Sequence, residues 1–131
     1  MYVNEKAIEL MENTLKIAAD KTRLKILFSL LEEIDSVKEG REIEKCVNDI
    51  ASQIGASQSL VSHQLKVLKD GDFVKTRKDG TKIYYSLADE HVREIVRITY
   101  EHVMEGIVWS KEVIQLKALT ARIVPPKAKP I

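Results

Sequence analysis

Two of the three histidines, His91 and His102, stand eleven positions apart in DEHVREIVRITYEHVME (residues 89–105), each flanked by carboxylates. Imidazoles and carboxylates are donors that bind zinc, so the spacing between them decides whether they can share an ion. On a helix, eleven steps of roughly 100° return to nearly the same face with an axial rise of about 16 Å. The two imidazoles share a stripe, yet one chain cannot bring both to one metal. Ile95 and Ile98 lie between them, and Val92, Ile95, Val96, Thr99 and Val103 run beside them at helical spacing. Such an apolar strip wants a partner. If that partner is the same helix of a second copy, antiparallel across a two-fold axis, His91 approaches the partner subunit's His102. Two equivalent clusters of imidazoles and carboxylates then form per dimer. The competing reading is a plain solvated polar face.

Helical elements must carry these groups. Ile8, Met11, Leu15 and Ala18 follow a helical stripe, and Asp20 is placed to cap a second helix with Leu24, Leu27, Phe28 and Leu31 on one face. Two helices are predicted between about residues 4 and 33. EIDSVKEGREIEK is polar, contains a glycine and reads as a loop. Residues 48–54 form a short helix stopped by Gly55, and Ser57 caps the next helix, which runs to Lys69. FVKTRK and KIYYSL alternate in character and are joined at Asp79 and Gly80, a hairpin signal. A long helix starts near Asp89 and is predicted to continue past Trp109 to about Ala121, before Pro125 and Pro126 end regular structure. The order is ααααββα: residues 1–121 as one domain and 122–131 as a short Pro/Lys tail.

The fourth predicted helix, SQSLVSHQLKVLKDG, is two-faced. Ser59, Ser62, His63 and Lys66 fall on one side, and Val61, Leu65 and Leu68 on the other. A helix fits the DNA major groove, and short hydroxyl and amide side chains reach base edges without holding the phosphates away. Gln58, Ser59, Ser62 and Gln64 are candidates for base or backbone contact, with Lys66 and Lys69 on phosphate. Lys75, Arg77, Lys78 and Lys82 surround the hairpin tip and make a basic wing beside that groove. A short helix, a tight turn, a polar-faced helix and a basic hairpin together point to duplex DNA.

RLKILFSLL, VNDIASQIGASQSLVSHQLKVLKDGDFVKTRKDGTKIYYSL and the following ADEHV resemble the ArsR/SmtB family of bacterial winged-helix metal-sensing repressors, over roughly residues 12–105. The resemblance implies a mostly α winged helix-turn-helix with a β-hairpin wing. It also implies a homodimer formed through the first and last helices, which binds an inverted-repeat operator until a metal ion weakens the complex. One branch of the family senses soft metals through Cys-x-Cys and Asp on the third helix; here the run is Cys46, Val47, Asn48, Asp49, so the second thiol is missing. Cys46 is expected to be a small buried side chain. The zinc-sensing branch uses the last helix, in an Asp-x-His then His-x-x-Glu pattern shared across the dimer. Asp89, His91, His102 and Glu105 match that pattern with its separations. Two imidazoles and two carboxylates complete a closed shell suited to Zn(II), with Co(II) as surrogate. Asp89 can join only from before the helix or from its first turn. Its competing role is as N-cap, and Glu94 is the rival ligand. His63, on the polar stripe, is assigned to the DNA-binding set and not to metal.

Composition bounds the remaining possibilities. With 131 residues, 44% hydrophobic and 31% charged, the chain has the means for one modest core. No apolar run approaches a membrane span, and MYVNEKAIELMENT carries acids where a secretory signal needs a basic start, so a cytoplasmic location is expected. A single cysteine allows no disulfide within the chain. Net charge of +1 is neutral on nucleic acid, since distribution decides phosphate binding. No nucleophile with a base, no phosphate-cradling glycine loop and no open metal site suggests an enzyme. Two alternatives to a zinc-responsive repressor remain: a regulator of the same fold that senses something else or nothing, and a winged-helix module that binds protein.

Overall fold

The computed structural model describes residues 2–31 and 42–108. The chain divides into two compact units, residues 1–96 and 97–131. Among the described residues the elements are α1 (Glu5–Ala18), α2 (Lys21–Ser29), α3 (Val47–Ile54), α4 (Gln58–Asp70), β1 (Val74–Asp79), β2 (Lys82–Leu87) and α5 (Glu90–Val108). The order is the expected ααααββα, mostly helical with an antiparallel hairpin.

Local chemistry explains most of the boundaries. The side chain of Asp20 accepts from the Arg23 amide at 2.9 Å and opens α2; Ser57 Oγ accepts from the Leu60 amide at 3.2 Å and opens α4. Gly55 ends α3 in the left-handed conformation, and its N–H bonds to the Ala51 carbonyl. In the hairpin Asp79 pairs with Lys82, so the connecting residues are Gly80 and Thr81, one position later than the sequence suggested. Gly80 has φ 62° and Thr81 has no positive φ, the pattern of a type II′ turn, which demands glycine at its first central position.

The core of the first unit is built from Ile26 and Leu27 of α2 with Leu30 at its C-cap, Ile50 and Ala51 of α3, and Val61, Leu65 and Leu68 of α4. Phe73, Val74, Leu87, Val92 and Val96 complete it. Each large side chain so buried contributes about 1.5–3 kcal/mol. Two expectations need correction. In α2, Leu24 and Phe28 are 44% and 46% exposed, and the packed face is Ile26, Leu27 and Leu30. In α5, Val92 and Val96 pack into the chain's own core, whereas Ile95, Ile98 and Val103 stay exposed, so the strip divides between two uses. No residue of α1 is buried. Its Ile8, Met11 and Leu15, with Glu12, Lys16 and Ala19, line a shallow groove of about 440 Å³.

The segment before α3 is extended. Lys45 pairs with Tyr85 through both backbone groups, Lys45 N to Tyr85 O at 3.0 Å and Tyr85 N to Lys45 O at 2.8 Å, and so adds one rung to the hairpin. Residues 32–41, most of the predicted loop, lie outside the described residues, as do the predicted continuation of α5 from Trp109 to Ala121 and the 122–131 tail.

Candidate functional site

The polar side of α4 and the hairpin enclose an open groove of about 590 Å³ lined by Ser59, Ser62, His63, Lys66, Lys69, Asp70 and Tyr85. Four of these residues, Ser59, Ser62, His63 and Lys66, are the ones whose helical spacing singled them out, and Lys69 was expected beside them on phosphate. They stand outward because Val61, Leu65 and Leu68 anchor the opposite face in the core, each fully buried. Gln58 is exposed in the first turn of α4. Lys66 Nζ lies 3.1 Å from Asp70 Oδ2, with both groups mostly exposed. Such a pair contributes little, and a phosphate can replace it.

Gln64 is engaged within the chain. It sits on the flank of α4 that faces α2, half-buried, with Oε1 accepting from Arg23 Nη1 at 2.8 Å. Its amide makes it a candidate for base or backbone contact, although it lies outside the stripe of Ser59, Ser62, His63 and Lys66. Its partner, 41 residues earlier in the chain, could not be found from local pattern.

The hairpin cations are not equivalent either. Alternation puts Lys78 on the same face as Thr76 and Tyr85, the face that borders the groove, and puts Lys75 and Arg77 on the other. There Arg77 Nε donates to Glu44 Oε2 at 2.8 Å, and its guanidinium lies 4.9 Å from the centroid of the Tyr84 ring. Lys75 Nζ is 3.1 Å from Glu42 Oε1. The hydrogen bond to Glu44, then its charge, pushes the Arg77 pKa up. Lys78 and Lys82 are exposed. Sequence reading missed Tyr85 and Asp70 as groove residues, and Glu42 and Glu44 as neighbours of the basic hairpin. Tyr85 could have been found from the strand alternation; the acidic pair could not.

At the start of α5, Asp89 precedes the helix and acts as its N-cap, Oδ1 accepting from the Val92 amide at 3.0 Å. The same oxygen is 4.0 Å from His91 Nδ1, and His91 is almost fully exposed. The capping role therefore does not remove Asp89 from His91 but sets it beside the ring. Further along the helix His102 and Glu105 are exposed and three apart, hence neighbours on its surface. Among the described residues, no three His, Cys, Asp or Glu of one chain gather into a metal shell. Asp89 and His91 are one carboxylate and one imidazole, half of a tetrahedral nitrogen and oxygen set that suits Zn(II) and needs a second pair from elsewhere.

Cys46 is half-buried rather than buried. It occupies the N-cap position of α3 and its thiol donates to Asp49 Oδ2 at 3.1 Å. No helix among the described residues is long and apolar enough to cross a membrane.

Two helices joined by a tight turn, the second presenting a polar stripe beside a basic hairpin, define a winged helix-turn-helix. The profile of bacterial regulatory proteins of the arsR family matches residues 20–76. The chain is 38% identical over 88 residues to the transcriptional repressor SmtB homolog of Synechocystis, covering 67% of this chain and 59% of that protein. It is 39% identical over 90 residues to the cadmium resistance transcriptional regulatory protein CadC homolog of Staphylococcus aureus, covering 69% and 67%. Among solved structures, the homodimeric winged helix-turn-helix DNA-binding domain of Mb0332 from Mycobacterium bovis superposes with TM-score 0.67 at 26% identity, covering 84% of this chain and 94% of that one. The chain belongs to the arsR family, a family of regulatory proteins and not of enzymes.

Proposed function

We propose that this protein is a cytoplasmic, metal-responsive transcriptional repressor that binds an inverted-repeat operator as a homodimer. The observation that carries the reading is the groove in which Ser59, Ser62, His63, Lys66 and Lys69 stand together beside the hairpin. In this reading α4 enters the major groove. Gln58, Ser59, Ser62 and His63 meet base edges or backbone, and Lys66, Lys69, Lys78 and Lys82 meet phosphates, with Arg77 able to join them if Glu44 yields.

The effector in this reading is Zn(II), with Co(II) as surrogate, held by Asp89 and His91 together with the partner subunit's His102 and the partner subunit's Glu105. Its support is the donor chemistry and the closeness of Asp89 to His91. The bound ion supplies a crosslink between subunits. By linkage the ion must prefer the arrangement that binds DNA poorly, and DNA must weaken its binding by the same factor, a coupling of about 1–3 kcal/mol.

The test is a titration of operator binding with zinc for the wild type and His102→Ala. The variant is expected to bind operator as the wild-type apo-protein does and to be insensitive to zinc. A variant still released by zinc would move sensing off α5, with the Cys46–Asp49 pair next to be examined.

A further inference from the structure

The side chain of Arg23 joins two elements with different tasks. Its Nε donates to the Ile17 carbonyl at 2.6 Å, in the last turn of α1, and its Nη1 donates to Gln64 Oε1 at 2.8 Å, midway along α4. The Ile17 carbonyl is one of those a helix cannot satisfy at its own C-terminal end. An arginine only donates, so the Gln64 atom turned toward it is the oxygen. Arg23 is itself located by its backbone N–H, which Asp20 accepts at 2.9 Å.

A second contact between the same two elements lies one and a half to two turns further along α4. A β-carbon built on Gly71 would stand 2.5 Å from Ile17 Cδ1 and 3.3 Å from Ile17 Cγ2. The backbone of Gly71 has an ordinary φ of −91°, so it is the close approach of Ile17 that calls for glycine there. Gln64 and Gly71 are seven residues apart, about 10 Å along a helix axis. Both attachments meet α1 at Ile17, one through its carbonyl by way of Arg23 and one through its side chain, and they meet the α4 end of the contact at two separate points.

We propose that Arg23 is a positioning residue: with the Ile17–Gly71 contact, it makes the reading helix α4 turn as one body with the end of α1. This inference rests on the operator-binding reading above. Within α1, Ile17 and Ala18 at its end pack partly buried against the core and residues 5–16 are exposed, so in the dimer of this reading the exposed length of the helix is covered by the second copy. The separation and tilt of two reading helices, which must match major-groove faces about 34 Å apart, then pass through the Arg23 fork. A lysine has a single ammonium head and cannot reproduce the planar fork that reaches both acceptors.

The experiment uses the full chain and an operator selected from random duplexes by the wild type. Binding is measured for the wild type, Arg23→Met, Gln64→Met, the double variant and Gln64→Glu. The duplexes carry both half-sites at the selected spacing, both with one or two base pairs inserted, or one half-site only. The wild type is expected to prefer its own spacing. Arg23→Met and Gln64→Met are each expected to bind the single half-site as the wild type does and to lose about tenfold of the spacing preference, the effect of one charge-assisted hydrogen bond. The double variant loses no more than either single one, and Gln64→Glu, which keeps an acceptor, retains the preference. Gln64→Met removes the bond from the α4 side and keeps the test open if Arg23→Met fails to fold.

Variants that kept the wild-type spacing preference would overturn the proposal. So would an equal loss on every duplex including the single half-site, since that is what mere destabilisation of α4 produces. A wild type that selected no duplex would instead remove the operator-binding reading, and this proposal with it.

Discussion

Arg77 was expected to be a phosphate contact, and its surroundings make that conditional. Its Nε is already bonded to Glu44, with the Arg77 side chain 54% exposed and that of Glu44 30%. A pair this open to solvent is weak, so a phosphate can displace the carboxylate, but the net gain is smaller than for an unengaged cation. Replacing Glu44→Gln removes the competing charge. Affinity for duplexes of any sequence is expected to rise, and the slope of log K against log[salt] to steepen by up to about 0.9, one further phosphate contact. Titrations at several salt concentrations measure this directly, and an unchanged slope would mean that Arg77 does not reach DNA. Lys78→Ala is expected to flatten the slope by a similar amount. At this scale the sequence exposed the inventory of cations, but not their engagements: Glu44 is 33 residues from Arg77, and no local pattern joins them.

Elements show the same division. The apolar residues of α2 and its C-terminal end, Leu24, Ile26, Leu27, Phe28, Leu30 and Leu31, cover more than one face, so helical periodicity admits overlapping choices of buried side. Packing against α3 and α4 selected Ile26, Leu27 and Leu30. The end of α4 offers a sharper case. Gly71 stands at the C-cap of α4 with a φ of −91° that suits any residue, and the constraint there is Ile17. Gly71→Ala is therefore expected to destabilise the fold by overpacking, about 1–3 kcal/mol, measured by urea denaturation. Pairing it with Ile17→Val, which removes the nearest methyl group, should recover part of the loss. A Gly71→Ala protein as stable as the wild type would show that Ile17 can withdraw without penalty.

For the whole molecule the decisive surface is the one that a single chain leaves uncovered. Ile8, Met11 and Leu15 are 47%, 57% and 56% exposed and form one side of α1. A row of this kind is typical of a protein-binding face. Sedimentation at micromolar concentration is expected to give a dimer. Met11→Asp with Leu15→Asp should yield a folded monomer, because both side chains are exposed and the part of α1 that packs on the core is Ile17 and Ala18. Loss of the second reading head should then lower operator affinity by about a hundredfold through lost avidity. A double variant that remained dimeric would exclude this face as the interface.

Whatever depends on neighbours in the chain was legible from the residues themselves. The caps at Asp20 and Ser57, the stop at Gly55, the hairpin, and the polar stripe Ser59, Ser62, His63 and Lys66 all follow from interactions within a few positions. Asp89 was legible as either cap or metal-ligand candidate, since both roles use its place before α5; geometry adds that as a cap it also stands 4.0 Å from His91. Tertiary structure decided what periodicity leaves open. It turned Gln64 inward to Arg23, drew Arg77 to Glu44, and took Val92 and Val96 from the strip of α5 into the core. The physical reason is common to all three. A helix or strand repeats its side chains at fixed angles, so sequence tells which residues share a face. What lies opposite that face comes from a distant segment of the chain, and its hydrogen bonds and packing determine which residues remain available to a partner.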